Sequence, residues 1–446
     1  MMFARALRPI FFVFAALLLT APAHAVVEFQ EITSSKGVDA WLVEDYSVPI
    51  ITIRFAFEGG ATQDPAGKEG LADLITALFD EGAGDLDSET FQIRLDDAGA
   101  EMAFGSDLDA VYGSMRMLAD QRDEAFGLLK LAIQEPRFDQ DPINRMRAQL
   151  VTGIVAAAKN PRTAAQKLWA QTIYGDHLYA RPAEGTAETL AAITADDLRA
   201  FHRAVFAREN LHVGIVGAID AETAKGVLDD LFGALPEKPD LKPVPDVSLA
   251  LGKDLAVEYP LPQTTIYMAY PGVERSDPQF LAAYLMTQIL GGDSMLSRLN
   301  EEVREKRGLS YGAGANLLNL KHANALVIGT STNADRAGET LGVIKDVVAE
   351  MAENGPTEQE LAAAKKYVIG SYALNELGSS SAIANTMVGL QLRDMGADYI
   401  TERDAMIEAV TVADVKAAAE ELLGTKPTTM LLGPAAPAAP PVVPKE

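Results

Sequence analysis

Arg304 and Tyr311 lie seven residues apart, and a guanidinium and a phenol aimed at one oxygen would supply donors for a developing oxyanion. Leu296, Leu299 and Val303 predict a helical stripe ahead of Arg304. Gly308 suits the residue just past that helix, and Leu309, Tyr311 and Ala313 alternate as a strand begins. This places Arg304 in a last helical turn and Tyr311 beyond a tight reversal, so both can converge on one spot. Taken alone, the pair reads more simply as an arginine closing helix carbonyls beside a glutamate and a tyrosine packed in a strand. Glu301-Glu302 and the pair Asp107 and Asp109 read as solvated surface. Gly291-Gly292 reads as a turn before a helix, since the G-x-x-x-x-G-K phosphate loop is absent.

The chain has 446 residues and no cysteine, which excludes disulfides, thiolate nucleophiles and Cys-based metal sites. Of the histidines, His177, His202, His212 and His322 remain once the first 25 residues are set aside, and no two are spaced i, i+3 or i, i+4. Each reads as packed or surface rather than a ligand. The formal charge of −25 argues against nucleic acid, because so acidic a surface repels phosphates. Arg5 and Arg8, the apolar run Ile10 to Leu19 and Ala23-His24-Ala25 together predict a leader cleaved after Ala25 and a periplasmic chain. The run is too short to span a bilayer, and no membrane anchor is expected.

The elements that must carry these residues come in two sets. Residues 26–234 and 251–433 read as two domains, joined by a linker over 235–250 whose core Leu235 to Val247 holds four prolines, with a Pro/Ala-rich tail over 434–446. In the first, strands Ile51 to Phe57 and Asp109 to Met117 precede two helices, the second from Pro142 through Ala158, and His212 to Gly217 closes the unit. In the second, Thr264 to Tyr270 and Ala323 to Thr332 precede two helices, the second from Thr357 to Leu374 opening on a Thr357/Glu360 capping box, and Thr428 to Leu432 closes it. An α+β fold follows, with two similar domains, each a mostly antiparallel sheet covered by helices.

Glu69 to Gly82 (EGLADLITALFDEG) predicts a short amphipathic helix with Leu71, Leu74, Ile75 and Leu78 on its apolar side. Here the sequence resembles the pitrilysin/insulinase family of zinc peptidases, whose helix carries H-x-x-E-H. Aligning Gly70-Leu71-Ala72 with that pattern sets Asp73 and Ala77 where the family has histidines and Thr76 where it has the glutamate. The third ligand, a glutamate in E-x6-E, falls on Gly153, with Met146 at the accessory position. These residues cannot hold a water-activating zinc, so no metal is expected in this chain. The segment Leu290 to Tyr311 resembles the family's L-G-G, S-R-L and V-R-E-x-R-G-L-x-Y signature, and the likeness extends from about Val27 to Leu432, through Gly185-Thr186 and Asn210 to Gly217.

The resemblance implies two domains arranged as a clamshell, with Arg304 and Tyr311 binding the substrate carbonyl at a zinc held elsewhere. It further implies a homologous zinc-bearing H-x-x-E-H partner subunit, a peptide substrate and zinc in the partner alone, with a homodimer as the alternative assembly of the lone chain. The expected role is the non-catalytic subunit of a heterodimeric periplasmic zinc endopeptidase, inactive alone. An inert peptide-holding or structural scaffold is the alternative, and a metal enzyme with an unrelated site ranks below both.

Overall fold

Ile51, Ile53, Phe55 and Phe57 alternate along one strand and are fully buried, yet Thr52 and Ala56 between them are buried too. Such a strand must be covered on both faces, and the architecture shows how. The computed structural model describes residues 29–292 and 295–434; the leader and nearly all of the Pro/Ala-rich tail fall outside them. The first half forms a six-stranded sheet from β1 (Gln30–Thr33), β2 (Asp39–Glu44), β3 (Ile50–Glu58), β4 (Glu101–Ser106), β5 (Ala110–Leu118) and β6 (Leu211–Gly217), in the order β1-β2-β6-β3-β5-β4. The second half forms a five-stranded sheet from β7 (Asp254–Glu258), β8 (Gln263–Pro271), β9 (Ser310–Asn319), β10 (Asn324–Asn333) and β11 (Thr428–Gly433), in the order β9-β10-β8-β11-β7.

Without β1 the two orders coincide strand for strand. Each sheet has one parallel pair, β2 with β6 and β7 with β11, while its other neighbours run antiparallel. The internal repeat is therefore a repeat of topology, and the fold is α+β. The helices follow suit. Among those of the first half are α1 (Leu71–Thr76), α2 (Arg122–Gln134), α3 (Gln140–Ala157) and α4 (Pro161–Tyr174). In the second come α5 (Phe280–Gly291), α6 (Ala337–Asn354), α7 (Glu358–Asn375), α8 (Ser380–Gln391) and α9 (Tyr399–Ala409), α7 opening on the Thr357/Glu360 capping box.

The outer faces of the sheets are covered by exchange. Helix α8 lays Ile383, Ala384 and Met387 on Trp41, Val43 and Val216 of the first sheet. Gly214 permits this approach, since a Cβ there would meet the Ala384 carbonyl oxygen at 3.0 Å. Gln391 then seals the strand, accepting from Val213 N at 3.3 Å and donating to Val213 O at 3.0 Å. Reciprocally, α4 sets Ala165 and Trp169 against Met430, Leu432 and Leu255 of the second sheet.

The Pro-rich segment Leu235 to Val247 has no helix or strand, as its composition requires, but it is strapped down. Lys242 donates its N–H to the Gln63 side chain at 2.8 Å and accepts from it at 3.1 Å, and Val247 N donates to His322 O at 2.9 Å. Asp109 is not the solvated group the sequence suggests. Its carboxylate accepts from Tyr179 Oη at 2.6 Å and Lys321 N at 3.3 Å, and Tyr179 Oη accepts from His322 N at 3.0 Å. Burial raises the Asp109 pKa, against the pull of Tyr179, and its Oδ1 is buried without a partner among the described residues. A Tyr179→Phe change strips this carboxylate of its best donor and is expected to cost about 1–3 kcal/mol, read from the midpoint of urea unfolding at constant slope.

Candidate functional site

The helix that would carry the zinc motif is shorter than the sequence predicts. Gly70 enters it with φ of 92°, the buried Asp64 carboxylate accepts from the N–H groups of Gly70, Leu71 and Ala72 at 2.8–3.1 Å, and Ala77 already ends it. Leu78 and Phe79 continue the apolar pattern and stay buried, but from a turn. Amphipathic spacing reports burial and does not distinguish a continuing helix from a turn that buries the same residues.

A cavity of about 400 Å³ opens beyond this helix end, between edge strand β4 and helix α3. Thr76, Ala77, Asp80, Glu81, Met146 and Gln149 contribute to its wall. Three of the aligned positions, Thr76, Ala77 and Met146, are thus brought together. Asp73 and Gly153 do not line it: burial and the nearby Glu184 raise the Asp73 carboxyl, and Gly153 is exposed, with nothing within 4 Å of a Cβ built there.

The cavity does have carboxylates that sequence reasoning missed, Asp80 and Glu81, although each lies four residues past Thr76 and Ala77 and so on the same side even of a continuing helix. Both are occupied. Gln92 Nε2 donates to Asp80 Oδ2 at 3.0 Å, with burial raising that carboxyl, and Glu81 takes Arg145 and, at 2.5 Å, Ser88. None of the four histidines lines the cavity. His202 stacks on Phe206 with its pKa lowered by burial, His212 pairs with Glu58, and His177 and His322 hold the segment around Pro245 and Asp246. A threonine hydroxyl, an alanine, a thioether and two engaged carboxylates do not match the donor set a catalytic zinc needs.

The second candidate region lies on the other sheet. The segment Asn300–Glu305 is a π-helix, with Lys306 N donating to Glu301 O at 2.9 Å, and Gly308 closes it with φ of 58° while Leu309 N donates to Val303 O at 2.8 Å. Leu299 and Val303 are buried as the stripe predicts. Leu296 is not: it is 86% exposed. Arg304 sits in the last turn, its Nη1 3.2 Å from Met295 Sδ and its Nε 3.4 Å from Glu305. Tyr311 begins edge strand β9 and is 92% exposed, so it is not a packed strand residue. No hydrogen bond joins the pair among the described residues: Arg304 is held by Met295 and Glu305, and Tyr311 faces solvent.

Sequence reasoning also passed over Arg298, the arginine of the S-R-L triplet. Its side chain, 13% exposed, holds Glu360 through Nε at 2.6 Å and Nη2 at 2.8 Å, donates to Gly355 O at 2.9 Å and reaches Glu350. Arg298 drives the Glu360 carboxyl down to about 2. The cluster ties the Arg304 segment to α6 and α7.

Residues 192–368 match the family model described as the peptidase M16 inactive domain. The solved structure of a peptidase M16 inactive domain from Pseudomonas fluorescens is similar over 93% of this chain and 99% of its own, with a TM-score of 0.85 and 29% identity. Over residues 192–368, and in fold over nearly its whole length, the chain resembles inactive members of the M16 peptidase family. Among curated relatives, the non-peptidase homolog YmxG of Helicobacter pylori is 25% identical over 377 residues, 84% of this chain and 85% of that one. An uncharacterised zinc protease of Streptomyces coelicolor is 28% identical over 306 residues, 66% of this chain and 65% of the relative's length. The periplasmic protease PqqL of Escherichia coli, at 18% identity and a TM-score of 0.76 over 91% of this chain and 45% of its own, shares the M16-like fold. The match to an inactive M16 domain and the likeness to a non-peptidase homolog agree with the poor donor set in arguing against a catalytic zinc in this chain.

Proposed function

We propose that this chain is the non-catalytic subunit of a heterodimeric zinc endopeptidase, binding peptide and supplying Arg304 and Tyr311 to the zinc site of an H-x-x-E-H partner. The observation that carries the reading is the exposure of Tyr311, seven residues past an arginine whose only carboxylate contact among the described residues is its neighbour Glu305. A phenol displayed to solvent at the head of an edge strand gains nothing for this chain's own core, whereas it can donate to an oxyanion on another surface. Met295 and Leu296, also exposed, give the pair an apolar rim that a partner could cover. In this reading the chain works in the periplasm, supported by the leader-like residues 1–25.

The test is reconstitution. A zinc-bearing H-x-x-E-H homologue and this chain are assayed separately and mixed on a fluorogenic peptide. This chain alone is expected to hydrolyse nothing, and the mixture to exceed the zinc subunit alone by about a hundredfold, the weight of a missing oxyanion donor. Full activity of the zinc subunit by itself overturns the reading.

One observation favours a second reading. Strands β4 and β9 are both free edges beside the two candidate regions, and an extended peptide can add to such an edge without any chemistry. Peptide binding that persists while no H-x-x-E-H partner ever yields hydrolysis would identify an inert peptide holder.

A further inference from the structure

The second half contains an open cavity of about 410 Å³ lined by α5, β9 and the helices α7, α8 and α9. Three arginines reach it. Arg403 on α9 is 5% exposed and stacks its guanidinium 4.1 Å from the Tyr372 ring centroid. Arg275 lies 4.1 Å from the Phe280 ring centroid and donates to Tyr399 Oη at 2.8 Å. Arg393, just past α8, is exposed and donates to Gly389 O at 2.6 Å.

Their charges are poorly matched. Among the described residues neither Arg275 nor Arg393 has an ion pair, and Arg403 has only its exposed neighbour Asp404 at 3.3 Å. The one carboxylate in the wall, Glu376, is exposed and accepts from Thr386 Oγ1 at 3.1 Å. Burial lowers the Arg275 pKa, and Arg393 and Arg403 lower it further by repulsion. Clustering like charges without counter-ions is costly unless something negative joins them. The Tyr372 hydroxyl supplies an independent sign: it lies in the same wall, buried and without a hydrogen-bond partner among the described residues. All this occurs in a chain whose formal charge is −25, where a net cationic cavity runs against the general field.

We infer that this cavity is an oxyanion site, taking a small organic ligand that carries two carboxylate or phosphate groups. Guanidinium forks match both groups in bidentate geometry. The Tyr372 hydroxyl would donate to one ligand oxygen, and the ring of Phe280 would face the ligand's carbon skeleton. The volume is that of a small-molecule pocket, which spans about 300–1,000 Å³. The wall belongs wholly to the second half, so occupation needs no partner subunit and stands apart from the reading of Arg304.

Isothermal titration of the full chain with inorganic phosphate, with citrate, and with an acidic hexapeptide bearing a free or an amidated C terminus tests this. Saturable binding of at least one probe is expected, weakening as salt rises. Arg393→Gln should weaken it by about tenfold or more, as loss of one charge-assisted fork implies, while leaving the melting temperature of the unliganded chain unchanged. Tightest binding of phosphate assigns a phosphoryl ligand, tightest binding of citrate a small polycarboxylate, and dependence on the free C terminus a peptide carboxylate. Arg403→Met should abolish ligand-induced stabilisation, while also removing the stack on Tyr372 and the donation to Val368 O, so its effect is read as the loss of the ligand-dependent shift in melting temperature. No saturable heat with any probe, or equal affinity in Arg393→Gln, overturns the inference whether or not the Arg403 variant folds.

Discussion

An Arg304→Ala chain mixed with its zinc-bearing partner is expected to assemble normally and to lose about 10²–10³ in kcat, the 2.7–4 kcal/mol that one oxyanion donor is worth in a dry site. Assembly should survive because the Arg304 head is tethered locally, to Met295 and Glu305, and the buried Leu299 and Val303 anchor its segment without it. Tyr311→Phe sharpens the test: it removes one hydroxyl from a side chain that is 92% exposed, so this chain's stability should not move. A matching loss of kcat and kcat/KM with unchanged KM would mark a transition-state interaction. Unchanged kcat in both variants, with a normal complex by size-exclusion chromatography, would leave the pair without a chemical role.

The second large effect lies in stability. Arg298→Ala removes a nearly buried guanidinium from Glu360, Glu350 and the Gly355 carbonyl at once. Breaking a fully buried pair costs about 3–5 kcal/mol, and because these carboxylates are partly exposed the loss should be nearer 2–3 kcal/mol. Urea unfolding measures it, and Arg298→Lys, which keeps the charge but not the fork, should recover only part. The pH dependence has a definite sign. Arg298 depresses the folded-state Glu360 pKa from 4.5 to about 2. The contribution is therefore complete above about pH 4.5 and is lost as pH falls toward 2. An Arg298→Ala chain should lack that acid-labile component, so the two stability curves should converge on acidification.

Much of the architecture was legible because both halves obey one pattern. Ile50–Glu58 and Gln263–Pro271 alternate, and the strand-helix-helix order recurs at matching places. What the sequence hid was which half covers which sheet. Thr52 and Ala56 signal a strand buried on both faces, but nothing local names α8, more than 300 residues on, as the cover. At the site, the loss of donors at Thr76, Ala77 and Met146 was readable as residue types, while the end of α1 at Thr76 was not, since Leu78 and Phe79 keep helical spacing through a turn. Leu296 failed for the converse reason: it has helical spacing but lies ahead of the segment that coils, and it faces solvent. Arg298 escaped notice because its partners, Glu350 and Glu360, are distant in sequence.

The exchange of α4 and α8 bears on how the chain matures as it is made. The first sheet emerges from the ribosome with Trp41, Val43 and Val216 uncovered, and they stay so until residues 383–391 have been synthesised. The early polypeptide therefore has a greasy flank and no means of its own to hide it. Completion of the first half's fold thus waits on the C-terminal portion, and until then that flank is open to association with other chains.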